Sequence, residues 1–290
     1  MNAGPLQSNT YVLQAQNLRL QYGDAAPLID GLNLTVAAGE IVAILGPSGV
    51  GKSSLLRILA GLQKASDGKV LVDGEPIDGT HPRVAMAFQD PSLLPWLTLE
   101  KNVAFGLDFR HQPDITKAEK NQRVTAAIRE VGLEHARHRM PAELSGGMAQ
   151  RTALARCIAR QPEVILLDEP FGALDEVTRA AMQRLLLKLR EDLGTAAVLI
   201  THDIDEALQV ADRIVLLGGA PAHAIGEWKI AYTQPRDDLV EELGQLRIEI
   251  LRTLHRALHP QSEKSKNNAV SANSVIPQNM IESKELADVS

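Results

Sequence analysis

The stretch IVAILGPSGVGKSSLLRILAGL, residues 41–62, decides the fold. Its first five residues, Ile41 to Leu45, are a continuous β-branched-rich run, which predicts a strand buried on both faces. From Lys52 onward the apolar residues fall at helical spacing. The turn between them fits G-x-x-x-x-G-K-[ST] and sits in the strand-turn-helix context that the pattern requires. Glycines there let backbone N–H groups converge on phosphates without side-chain obstruction. The helix N-terminus adds the positive end of its dipole. In this reading Lys52 bridges the β- and γ-phosphates and the Ser53 hydroxyl ligates Mg²⁺. The plain competitor is a glycine-rich turn with a surface lysine, and the flanking strand and helix argue against it.

Working outward, residues 164–170 read VILLDEP, four apolar residues and then two acids at the C-terminal end of a predicted strand. Ligands of open α/β sheets bind at that edge. Asp168 there can orient Mg²⁺ through its water shell, and Glu169 can polarise an attacking water. A solvated acidic turn is the alternative for this segment taken alone; beside a phosphate loop it supplies the missing half of a phosphoryl-transfer site.

The remaining segments frame this pair. Residues 11–20 and 32–36 alternate apolar with polar and predict antiparallel strands with one wet face. Short strands are expected at 70–72 and 84–88, punctuated by Asp73-Gly74 and Asp78-Gly79 turns. From about 93 to 160 the pattern turns helical, notably at 117–131 and 148–160. Strands return at 164–167, 197–200 and 213–217, with a helix over roughly 177–192. This order predicts an α/β core interrupted by a helical insertion. A charged amphipathic helix is expected over 236–258, with Leu239, Leu243, Leu246, Ile250 and Leu254 on one face. From Pro260 the composition turns to Ser, Asn, Lys and Glu, as in disordered chain.

Composition bounds the class. The chain has 290 residues, a formal net charge of −6 and 44% hydrophobic content, ordinary for a globular protein. No apolar run approaches the roughly 18–20 residues that span a bilayer, and the opening MNAGPLQSNTY lacks the layout of a secretion signal. A single cysteine, Cys157, excludes an internal disulfide framework and fits a reducing compartment, where an inert core thiol is the expectation. Mild acidity argues against a nucleic-acid binder that depends on a broad basic surface.

Residues 144–151, LSGGMAQR, stand immediately before a predicted helix, a second anion-binding N-terminus with a hydroxyl and two glycines. With this segment the sequence resembles the ATPase subunits of ABC transporters, in order from about residue 11 to 233. The resemblance implies an α/β P-loop NTPase fold: a RecA-like core with an antiparallel β subdomain and an inserted helical subdomain. It implies an ATPase domain over 9–233 with that subdomain at about 91–160, then a C-terminal helix within 234–259 and a polar tail over 260–290. Gly46, Pro47, Ser48, Gly49, Val50, Gly51, Lys52, Ser53 and Ser54 then hold nucleotide, and Tyr22 matches the aromatic that stacks on adenine. Gln89 matches the glutamine that joins the ATP site to the helical subdomain, and with Ser53 and Asp168 it serves Mg²⁺. His202, in VLITHD, matches the switch histidine that contacts the γ-phosphate. Ala173-Leu174-Asp175 matches the loop after the hydrolytic glutamate. One position departs: the usual fifth signature residue is Gln, and here it is Met148.

The resemblance also implies a mechanism. Two subunits pair head to tail, so that Ser145, Gly146 and Gly147 of one face the ATP held by Lys52 of the other, with Asp175 at the seam. Glu169 is the general base or water-orienting residue, and His202 positions water and phosphate. The segment DPSLLPWLTLEKNV after Gln89 resembles the nitrate, sulfonate and taurine importer branch. Leu93, Leu94 and Trp96 there would receive a coupling helix from a transmembrane permease. The expected protein is thus an ATP-hydrolysing importer subunit for a small anionic solute. It would be peripheral on the cytoplasmic face of the inner membrane, served indirectly by a solute-binding protein, with no nucleic-acid partner. Importers of riboflavin or pyrimidine precursors use similar subunits, and a soluble ABC regulator without transport is the alternative from another class.

Overall fold

The run Ile41–Leu45 forms a strand with every residue buried, and the rest of the molecule is arranged around it. The structure is a computed structural model that describes residues 11–109, 112–172, 174–236 and 238–258. Ala173, the start of the expected domain at residue 9 and the 260–290 tail lie outside the described residues. In chain order the first elements are β1 (Tyr11–Leu20), β2 (Ile29–Ala37), β3 (Ile41–Leu45), α1 (Lys52–Leu59), β4 (Asp67–Val72), β5 (Glu75–Pro76) and β6 (Val84–Ala87). Next come α2 (Leu99–Ala104), α3 (Lys117–Glu130), α4 (Gly146–Ile158), β7 (Val164–Asp168) and α5 (Glu176–Leu193). The last are β8 (Ala196–Ile200), α6 (Ile204–Val210), β9 (Arg213–Gly218), β10 (His223–Lys229) and α7 (Val240–Leu258).

Two sheets result. A four-stranded antiparallel sheet runs β2-β1-β4-β5, and a six-stranded sheet runs β10-β9-β3-β8-β7-β6. Within the larger sheet the strands from β9 to β6 are parallel, and β10 adds antiparallel to β9. The continuous apolar runs are explained by two cores. Val42 and Ile44 of β3 face a core shared with the smaller sheet and α1, while Ile41, Ala43 and Leu45 face a second core beneath the helices. Strands β7 and β8 divide in the same way, with Val164 and Leu166 on one side and Ile165 and Leu167 on the other. A strand covered on both faces favours apolar residues along its length, with the polar Asp168 standing only at the end of β7. β1 instead buries Leu13, Ala15, Leu18 and Leu20 on one face, which gives the observed alternation.

Two expectations at the C-terminal side are corrected. The strand at 213–217 is not the last, because β10 follows it and closes the sheet edge. β10 is mostly exposed or half-buried and contains His223, Gly226, Glu227 and Lys229, so it lacks the apolar run of the inner strands. The C-terminal helix begins at Val240, not at 236. Arg236 is instead buried at 2% exposure, its guanidinium donating to the carbonyls of Leu208 and Ala211 at the end of α6. Leu239, just before α7, and Leu243, Leu246, Ile250 and Leu254 within it pack on the helix-side core, the stripe expected from sequence.

Because β3, β6, β7, β8 and β9 are parallel, their C-terminal ends meet at one edge. Gly46 and Glu169 follow these ends directly, and Gln89 and His202 two residues after theirs.

Candidate active site at the strand edge

The phosphate loop leaves β3 and enters α1 through Gly49 (φ 80°) and Gly51 (φ 105°), backbone that side chains other than glycine rarely adopt. Gly46 is required for a different reason. A Cβ there would stand 2.7 Å from the Leu217 carbonyl oxygen of β9, so the loop lies hard against the neighbouring strand. Lys52 is 7% exposed, and its Nζ donates to the Gly46 and Pro47 carbonyls at 2.8 and 3.0 Å. Burial lowers its pKa, an effect opposed by the Glu169 and Asp168 carboxylates. The ammonium is therefore held within the loop.

Ser53, the next residue, donates from Oγ to Asp168 Oδ1 at 3.1 Å. Asp168 ends β7 at 7% exposure, and burial pushes its carboxyl above the ordinary range, with the Ser53 hydrogen bond opposing. Glu169 follows with φ 46°, a strained conformation for a residue with a side chain, and its N–H donates to the Ile200 carbonyl of β8 at 2.9 Å. Its carboxylate is bracketed: Oε2 accepts from Gln89 Nε2 at 3.1 Å, and His202 Nδ1 stands 3.3 Å from Oε1. The His202 side chain is 63% exposed, so its ring reaches from Glu169 into solvent.

Tyr22, 55% exposed, leans over α1, its hydroxyl 3.4 Å from Ser54 Oγ and accepting from Gln63 Nε2 at 2.9 Å. Those two bonds hold the ring at the start of α1 with much of its surface open.

The signature segment and Asp175 form a second group. Ser145 caps α4, its Oγ accepting from the Met148 N–H at 3.3 Å. Ser145 and Gly146 are exposed. Asp175 caps α5, accepting from Thr178 N–H at 3.0 Å and Thr178 Oγ at 2.7 Å, bonds that hold its carboxyl below the usual range. Gly147 joins these two helix starts, since a Cβ on it would meet Thr178 Cγ2 at 2.6 Å. Met148 packs against the helix-side core. The hydrogen bonds of Ser145 and Asp175 stay within their own helix N-termini, and none runs to Lys52, Asp168 or Glu169. The sequence-expected site thus forms two clusters in one chain.

Trp96 is 69% exposed, with Leu93 and Leu94 half-buried beside it. Their segment is held by the buried Asn102, whose amide donates to the Leu94 and Leu97 carbonyls and accepts from the Leu94 N–H.

Sequence reading missed the groups behind His202. Thr201 Oγ donates to Glu206 at 2.6 Å and accepts from the Asp203 N–H at 3.1 Å. Asp203 caps α6, and Glu206 sits at its third position. The D-x-x-E spacing would have signalled a capping box, yet here Glu206 turns inward to Thr201 and Arg179.

A glycine-rich phosphate loop, the Ser53–Asp168 hydrogen bond and the adjoining Glu169 at one parallel-sheet edge define a P-loop nucleotide-binding protein. Comparison with known proteins narrows this. The ABC transporter family profile matches residues 29–172. The chain is 44% identical to an aliphatic sulfonates import ATP-binding protein of Xanthomonas axonopodis, over 79% of this chain and 90% of that one. It is 42% identical to a nitrate import ATP-binding protein of Synechococcus elongatus, over 79% and 85%. Among solved structures, a dimeric ATP-binding cassette in a post-hydrolysis state bound to ADP and phosphate matches with TM-score 0.67 and 31% identity, covering 76% of this chain and all of that one. The chain belongs to the ABC transporter family, in the branch that holds the nitrate and sulfonate import subunits.

Proposed function

We propose that this chain binds Mg²⁺–ATP between two of its own copies and hydrolyses it to power import of a small oxyanion of the sulfonate or nitrate kind. The chain is an ATPase of the ABC importer class. The observation that carries the assignment of roles is the bracketed Glu169 carboxylate, one residue from the Ser53–Asp168 pair. A water at Glu169 Oε would be oriented and relieved of its proton, with Gln89 and His202 fixing the carboxylate on either side. Lys52 and the loop N–H groups would hold the β- and γ-phosphates, and Tyr22 would stack on the adenine. Ser53 and Asp168 place two hard oxygen donors together with Gln89 near, which suits Mg²⁺, an ion that takes few protein ligands and keeps waters. When bound, the ion would neutralise charge developing on the phosphate oxygens.

Among the described residues the hydrogen bonds of Ser145 and Asp175 stay at their own helix starts and none reaches the phosphate loop, which supports a head-to-tail pair in which Ser145, Gly146, Gly147 and Asp175 serve the copy opposite. Among the described residues no helix is long and apolar enough to cross a membrane, so coupling would pass through permease subunits at the cytoplasmic face. The exposed Trp96 on its Asn102-braced segment supports that contact. A helical subdomain over about 91–160 and a C-terminal helical extension complete the organisation. Solute choice would rest with the permease and a solute-binding protein.

The test compares two variants. Glu169→Gln should bind ATP, hydrolyse it at least about 100-fold more slowly and accumulate dimer. Lys52→Ala should lose ATP affinity itself. Near-normal turnover by Glu169→Gln, or unchanged ATP affinity in Lys52→Ala, overturns the assignment.

A further inference from the structure

Behind the bracketed carboxylate lies a series of contacts. The Leu174 carbonyl, next to Asp175, accepts from Arg179 at 3.3 Å. Arg179 Nε stands 3.5 Å from Glu206 Oε1. Glu206 Oε2 accepts from Thr201 Oγ at 2.6 Å. Thr201 precedes His202, whose Nδ1 returns to Glu169 at 3.3 Å.

We propose that Arg179 and Glu206 are positioning residues for hydrolysis, linking the Leu174–Asp175 loop to the orientation of His202 and so of Glu169. The inference rests on the ATPase roles given above. The hydrogen bonds and close ion pair of these two side chains go to Leu174, Thr201 and each other. Arg179 grips the loop carbonyl immediately before Asp175, and Glu206 grips the hydroxyl immediately before His202. The joint between them is an ion pair with no hydrogen bond at Arg179 Nε, a buried atom. A movement of the Asp175 loop would therefore be felt at Thr201 through charge and packing, with little else in the way. The other ionic neighbours are Glu176, 3.9 Å from Arg179, and Asp203 and His202 beside Glu206. Replacing Glu206 by an amide removes its charge while keeping an oxygen that can accept from Thr201.

The experiment uses the full chain and the variants Arg179→Gln, Glu206→Gln and their combination. Each single change should lower kcat about 10-fold with the ATP KM within about twofold, and the double variant should be no slower than either single one. Melting temperature should not fall in Glu206→Gln. The idea is overturned if kcat is unchanged in both singles, if their losses multiply in the double, or if kcat falls only in step with melting temperature. Should Arg179→Gln fail to fold, Arg179→Met paired with Glu206→Gln gives the same cycle. Normal turnover by the parent, with loss in Glu169→Gln and none in these variants, overturns this inference alone. Absence of turnover by the parent overturns both.

Discussion

Ser53 Oγ donates to Asp168 Oδ1 at 3.1 Å, tying the first residues of α1 to the end of β7 across 115 positions of sequence. The two strands that carry them are not adjacent, since β8 lies between β3 and β7. The bond is made because the loop from β3 into α1 and the end of β7 lie at the same edge of the sheet.

Burial at the end of β7 disfavours the ionised form of Asp168. Its folded-state pKa is raised, so the stabilising neutral form is fully present below the unfolded value and is lost as pH rises through the raised one. Asp168→Asn should therefore melt higher than the parent at neutral pH without nucleotide, with the advantage vanishing on acidification. Mg²⁺-dependent ATP hydrolysis should fall by at least about 100-fold. Calorimetry across pH and a phosphate-release assay check the two halves.

The tight contact between Gly147 and Thr178 predicts a paired outcome. Gly147→Ala forces a methyl into Thr178 Cγ2, costing about 1–3 kcal/mol by overpacking and spreading the starts of α4 and α5. Adding Thr178→Ser removes that methyl while keeping the hydroxyl that Asp175 accepts from, and should restore most of the stability. Denaturant titration of both variants reads the result.

Arg236 donates to the Leu208 and Ala211 carbonyls at 2.8 and 2.7 Å, and Gln234 donates to Gln209 at 2.8 Å. These bonds satisfy the C-terminus of α6, the helix that follows His202. Arg236→Met should leave buried carbonyls without partners and cost about 3 kcal/mol in unfolding experiments. Hydrogen exchange should quicken at α6 first.

Cys157 is buried in the helix-side core, and burial pushes its thiol up to about 11. Thiolate is the reactive form. The folded protein should resist a thiol reagent at neutral pH and react fully only in denaturant, with labelling tracking global unfolding.

Much of this molecule was legible in linear pattern. β3, β7 and β8 could be read because a strand buried on both faces must be apolar throughout. α3, α4 and α5 could be read because each buries one stripe and starts at a Thr, Ser or Asp cap. β10 was missed since an exposed edge strand needs few apolar residues. The sequence puts Arg236 at the start of the C-terminal helix because it looks like a surface charge until α6 is placed beside it.

The same division holds at the site. The amino-acid sequence by itself determined the phosphate loop, the acidic strand end and the two capped helix starts, because each is built from residues within a few positions of one another. Only the tertiary structure decided that Glu169 lies between Gln89 and His202, and that Arg179 reaches Glu206. Those pairings depend on strand order and parallel register, which bring distant segments to one edge, and no local periodicity encodes which strands become neighbours.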